Sequence, residues 1–93
     1  MRIPWRLSYS VSGYAMRLTG YSVEDQDAED IRFIQLAEIS LAASPAELRR
    51  IATFLNNAAD TMERMGETYD HEHLSDRQSG FDDSPHFVVF RAT

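Results

Sequence analysis

The sequence predicts a small α+β protein, in which one long helix packs on one face of a mixed four-stranded sheet. Three observations predict this class. Two segments near the N-terminus alternate apolar and polar residues as strands do, segment 45–65 has the apolar spacing of a helix, and an apolar run occupies 87–90. The predicted order is β-β-β-α-β in two layers. With 93 residues, 43% of them hydrophobic, residues 1–93 form one domain around one core.

The first two strands are predicted as an antiparallel hairpin. The odd positions from Ile3 to Val11 are all apolar or aromatic, and from Trp5 onward they alternate with Arg6, Ser8, Ser10 and Ser12. Ser12-Gly13 is typical of a tight turn. The alternation then resumes from Tyr14 to Leu18, so both segments should bury one face.

The third strand is predicted over Ile31–Ala42, after an acidic stretch. Glu24–Asp30 carries five carboxylates in seven residues, which indicates an exposed loop that could include a short helical turn. Within Ile31–Ala42, apolar residues occur on both faces and Gln35 interrupts one of them. A central strand covered partly on both faces explains this pattern, and a bulge near Gln35 is the alternative.

The helix is predicted over residues 45–65. Ser44 suits the N-cap, Glu47 completes a capping box, and Pro45 fits the first helical position. Gly66 suits the residue just beyond the C-terminus. The predicted apolar stripe is Leu48, Ile51, Ala52, Leu55, Ala58, Ala59, Met62 and Met65. On this assignment Leu55→Ala should cost about 2–5 kcal/mol of stability.

The last strand is the run Phe87–Phe90, which follows a polar, turn-rich segment, 69–85. Since the helix connects the third strand to the fourth, a right-handed crossover would make these two strands parallel.

Composition excludes several functions. The chain has a formal net charge of -6, which disfavours nucleic acids and anionic membranes as partners and favours a basic one. It has no cysteine, which excludes disulfides and thiol chemistry. Met1–Arg6 lacks the apolar segment of a signal peptide, and no apolar run approaches the roughly 20 residues of a membrane span. The expected location is therefore cytoplasmic.

Side chains that could bind a metal or act in catalysis are concentrated only at Asp70-His71-Glu72-His73, with Asp76 three residues later. Two imidazoles and three carboxylates could bind a metal ion, but histidines two apart do not have zincin spacing, and in a strand Glu72 would point away from both. Glu72 and Asp76 could also act as paired carboxylates with His71 as a base. No nucleophile, phosphate loop or oxyanion hole accompanies them. We therefore predict no catalytic residue, metal ligand or cofactor, and keep a small metal-binding or hydrolytic domain as the alternative.

Two further interpretations of this turn are a structural lock on the long connection and a partner-contact surface. Acidic residues elsewhere could extend such a surface, because complementary charge speeds association. Tyr69, Phe81 and Tyr21 lie near these acids in sequence and could be interface anchors or core contacts. The predicted partner-binding residues are Asp25, Asp27, Glu29, Asp70, His71, Glu72, His73, Asp76, Asp82 and Asp83.

Three segments together resemble a known family. They are Leu36–Leu55, with its Ser-Pro-Ala-Glu-Leu-Arg helix start, Ala58–Glu63, and the His-Glu-His-Leu turn within Asp70–Asp76. With Pro85 before the last strand, this pattern resembles the small bacterial immunity proteins of family thirty-two. The resemblance implies a non-enzymatic inhibitor that binds a cognate polymorphic toxin in interbacterial competition. Self-association into a homodimer through an edge strand is a further alternative.

Overall fold

The structure is a computed structural model that describes residues 16–92. The predicted strand Ile3–Val11 and the turn Ser12-Gly13 lie outside the described residues. The chain separates into two compact units, and the described parts of these units are residues 16–41 with Ala92, and Ala42–Arg91. Each unit is described by itself.

The first unit contains a two-stranded antiparallel sheet. Strand β1 spans Leu18–Gly20 and strand β2 spans Ile34–Leu36, with Thr19 opposite Gln35. A 3₁₀ turn, Val23–Asp25, lies between them in the acidic stretch, as the sequence allowed. The predicted third strand therefore shortens to three residues. All three are exposed and their described partner is β1, so the prediction of a covered central strand is not confirmed.

The second unit is organised by helix α1, Pro45–Met65, which confirms the predicted helix and its bounds. The Glu47 backbone N–H donates to Ser44 Oγ (3.1 Å), and the Ser44 backbone N–H donates to Glu47 Oε1 (2.7 Å). This reciprocal capping box holds the pKa of Glu47 below its usual value, because the bonds from Ser44 favour the carboxylate. At the other end Gly66 has φ 59° and ψ -131°.

The rest of this unit forms a second small sheet. After a 3₁₀ turn, Gly66–Thr68, come strand β3 (His71–His73), the one-turn helix α2 (Leu74–Arg77) and strand β4 (Val88–Phe90). Strands β3 and β4 are antiparallel.

The α+β class is confirmed, whereas a single four-stranded sheet is not. Within the described residues the strands form two separate pairs, and β4 pairs antiparallel with β3 instead of parallel with the third predicted strand. The polar segment His71–His73 was predicted as a turn. Its conformation depends on a long-range partner, because Val88–Phe90 supplies the backbone groups of the ladder.

The core of the second unit contains Ile51, Phe54, Leu74 and Phe81, with Phe87 and Val89 packed against them. Phe54, which is 1% exposed, meets Phe87 edge-on at a centroid distance of 6.3 Å. The predicted stripe is partly wrong: Leu55 is 42% exposed, and Phe54 takes the central position. Apolar residues lie on two adjacent faces of α1, and the residues that pack against the helix decide which face is buried.

No helix within residues 16–92 combines the length and apolar character that crossing a membrane requires.

Candidate functional site

The β3–β4 hairpin divides the predicted histidine turn between two faces. Successive side chains of a strand point to opposite sides, so His71 and His73 share one face and Glu72 lies on the other. In the antiparallel register His71 is opposite Phe90 and Glu72 is opposite Val89. Because Val89 packs on the core, Glu72 is on the inner face and the two histidines are on the outer face.

The outer face carries a row of four rings, which we call the ring row: His86, His73, His71 and Phe90. Neighbouring centroids are 5.8, 5.1 and 5.3 Å apart along this row. The His71 and Phe90 rings are stacked, with 25° between their planes, and the other two contacts are edge-on. Phe90 is 65% exposed. The sequence therefore places an aromatic, partly polar surface on a strand pair rather than on a loop.

Two carboxylates border the ring row. Asp70 Oδ2 lies 2.8 Å from His71 Nδ1, and Asp76 Oδ2 lies 3.9 Å from His73 Nδ1. Both aspartates are largely exposed, while both histidine side chains are about one-third exposed. Exposed pairs of this kind contribute about 0–1 kcal/mol to stability. Their main effect is a negative rim around an aromatic surface.

Glu72 has a different environment from its two histidine neighbours. Its side chain is 12% exposed, and Arg77 Nε lies 2.9 Å from Glu72 Oε2. The Tyr69 hydroxyl donates to Glu72 Oε1 over 2.8 Å. Burial, followed by the hydrogen bond and the charge of Glu72, raises the pKa of Tyr69 to about 12. Both oxygens of Glu72 are thus occupied within the protein, and Tyr69 and Phe81 are core residues.

The remaining predicted acids lie on exposed turns. Asp82 and Asp83 are exposed in the connection between α2 and β4, next to the buried Phe81. In the first unit Asp27 and Glu29 are exposed and Asp25 is half-buried at the end of the 3₁₀ turn. The structure brings Asp70, His71, His73 and Asp76 together. It places Glu72 behind them, and the two groups of loop acids belong to separate parts of the fold.

The metal-binding and hydrolytic alternatives each require several side chains that meet at one point. Within the described residues, no group of three or more His, Cys, Asp or Glu side chains is arranged to hold a metal ion. Glu72 and His71, which a paired-carboxylate mechanism would use together, lie on opposite faces of β3.

Two outer-face residues, His86 and Phe90, were not among the predicted site residues. The sequence placed Phe90 in a buried strand because Phe87–Phe90 shows no alternation. Their position becomes visible only from the pairing of β4 with β3, for which the local sequence carries no signal.

The protein is of the α+β class, and its second unit has a capped helix, a buried aromatic core and an exposed ring row. The family model of Immunity protein 32 matches residues 38–92, more than half of the chain. The chain belongs to the Immunity protein 32 family. Neither the curated proteins nor the solved structures include a significant match.

Proposed function

We propose that this protein is a non-enzymatic immunity protein of the bacterial cytoplasm that binds a cognate toxin and neutralises it in interbacterial competition. Membership of the Immunity protein 32 family carries the proposal. The whole chain, 1–93, acts as one domain in this role.

The outer face of the β3–β4 hairpin is the proposed contact surface. Rings in a row offer rigid area that loses little side-chain entropy on binding, and exposed aromatic residues are frequent interface anchors. Asp70 and Asp76 at the rim would attract lysine or arginine side chains of the toxin, and a guanidinium can stack on the Phe90 ring. The surface therefore suits a toxin with a basic surface.

The acids outside the hairpin have a second proposed role, in long-range attraction. Asp25, Asp27, Glu29, Asp82 and Asp83 contribute five of the negative charges of a chain whose net charge is -6. Such charges speed the approach of a basic partner even when they do not touch it, and salt screens their effect. Glu72 contributes indirectly, because its bonds to Tyr69 and Arg77 hold β3 in place.

The test of neutralisation is co-expression with the toxin encoded in the neighbouring reading frame. We expect the wild-type chain to restore growth and to bind the purified toxin domain, with light scattering giving the mass of the complex and revealing any homodimer of the free protein. No rescue and no binding would contradict the proposal, and so would turnover of a substrate by the protein itself.

The contact surface is tested with two matched double variants. Asp70→Asn with Asp76→Asn removes two charges beside the ring row, and Asp60→Asn with Glu63→Gln removes two exposed charges from helix α1. We expect the first pair to weaken toxin binding by about tenfold or more and the second to have a much smaller effect. Equal losses would assign the effect to net charge instead of this surface.

A further inference from the structure

A cleft on the inner side of the β3–β4 hairpin has a charge opposite in sign to the net charge of the protein. It lies in the second unit, is open to solvent on one side, has a volume of about 330 Å³, and is bordered by helix α1 and by the Glu72–Arg77 pair. This volume is near the lower end of ligand-binding pockets, roughly 300–1,000 Å³. Its lining residues are Phe54, Asn57, Thr61, Arg64, Met65, Glu72 and Arg77.

The cleft carries two guanidinium groups and one carboxylate, so its formal charge is positive within a chain of net charge -6. The carboxylate, Glu72, already accepts bonds from Tyr69 and Arg77. Within residues 16–92, Arg64 has no acidic group within ion-pair distance. The donors that remain therefore exceed the acceptors, which favours an anionic guest.

Arg77 has a side chain that is 61% exposed, and one contact orients it before any guest arrives. Its Nε is bonded to Glu72, which the buried Tyr69 fixes from the other side, so the terminal nitrogens of Arg77 remain to donate. A guanidinium that is already oriented loses less freedom on binding a carboxylate. The apolar atoms of Phe54 and Met65 in the lining would accommodate the methylene groups of a long acidic side chain.

We propose that this cleft receives an acidic side chain of the toxin, with its carboxylate between Arg64 and Arg77. The inference rests on the proposed function and adds one feature to it: a second, basic contact site on the inner side of the hairpin, opposite the ring row. Such a cleft would fix the register of binding, because a toxin with a basic residue at that point would bring a third positive charge beside Arg64 and Arg77.

A tripeptide probe tests the chemistry of the cleft without any toxin. The probe is acetyl-Leu-Glu-Leu-amide, and the control peptide has glutamine in place of glutamate. We expect the first peptide to shift the backbone amide signals of Asn57 and Thr61 and the Nε–H signal of Arg64 in ¹H–¹⁵N spectra, with a Kd on the order of millimolar. Arg64→Gln should weaken this binding at least fivefold, whereas Arg49→Gln, an exposed arginine of α1 outside the cleft, should not.

The peptide experiment decides whether the cleft binds a carboxylate. Shifts that are absent, that are equal for the two peptides, or that survive Arg64→Gln unchanged would overturn the proposal. With the toxin itself, Arg64→Glu should weaken binding at least tenfold and Arg49→Glu much less. If the wild-type chain binds the toxin and Arg64→Glu binds as tightly, the cleft proposal fails while the immunity function stands. If no toxin binds, the immunity function fails, and the peptide result alone decides the cleft.

Discussion

The Tyr69 hydroxyl donates a 2.8 Å hydrogen bond to Glu72, and this contact joins the segment after the 3₁₀ turn Gly66–Thr68 to the inner face of the β3–β4 hairpin. Tyr69 is 7% exposed and the Glu72 side chain 12%, so the bond is partly shielded from water. Because Glu72 also pairs with Arg77, one tyrosine hydroxyl positions the carboxylate and, through it, a guanidinium.

Removing this hydroxyl should destabilise the protein. We expect Tyr69→Phe to lower the free energy of unfolding by about 1.5–3 kcal/mol, because hydrogen bonds to charged groups are worth about that much. Urea unfolding, followed by helical circular dichroism, measures the change. Tyr21→Phe is the control, since Tyr21 is 37% exposed, and its effect should stay within about 0.5 kcal/mol. Equal effects of the two substitutions would contradict the role given to this bond.

The raised pKa of Tyr69 predicts a specific loss of stability in alkali. The neutral hydroxyl is favoured in the folded state, so this contribution is complete below the ordinary tyrosine pKa of about 10. It should fall as the pH rises from there through the folded value of about 12. An absorbance titration at alkaline pH should show a tyrosine ionisation step near pH 12, and Tyr69→Phe should remove that step. A late step that survives the substitution would refute the assignment.

The correction to the helix stripe gives a paired prediction. Phe54→Ala should cost about 3–5 kcal/mol, as large aromatic truncations in cores do. Leu55→Ala should cost less than about 1 kcal/mol, because Leu55 is 42% exposed and its truncation leaves little cavity. Thermal and urea unfolding of the two variants would rank them. The reverse ranking would restore the stripe that the sequence predicted.

Gly66 ends helix α1 with backbone angles that side chains disfavour. A Cβ at this position would meet no atom within 4 Å, so the cost of Gly66→Ala comes from φ 59° and ψ -131° alone. We expect a loss of about 1–3 kcal/mol, the usual cost of such a backbone region. Ala59→Gly, in the middle of the exposed helix face, is the contrasting variant and should cost about 0.5–1 kcal/mol through helix propensity. A neutral or stabilising Gly66→Ala would show that the helix end relaxes to ordinary angles.

The features that could be predicted from the sequence are those that depend on residues close to one another along the chain. Ser44, Pro45 and Glu47 define the start of the helix and Gly66 its end, because caps are satisfied by residues within one turn. The alternation of His71 and His73 against Glu72 was also predictable for an extended segment, since the period of a strand is two. The acidic loops, likewise, could be predicted to be exposed from their charge density alone.

Tertiary structure decided the remainder, because it depends on partners that are distant in sequence. The histidine segment is a strand only through its ladder with Val88–Phe90, and that register also brings Phe90 against His71. The burial of Phe54 in place of Leu55 depends on Leu74, Phe81 and Phe87, which select one of two apolar faces of α1. Local sequence therefore determined the bounds of the helix and the distribution of charge along the chain. Long-range packing determined which side chains form the core and which ones lie on the surface.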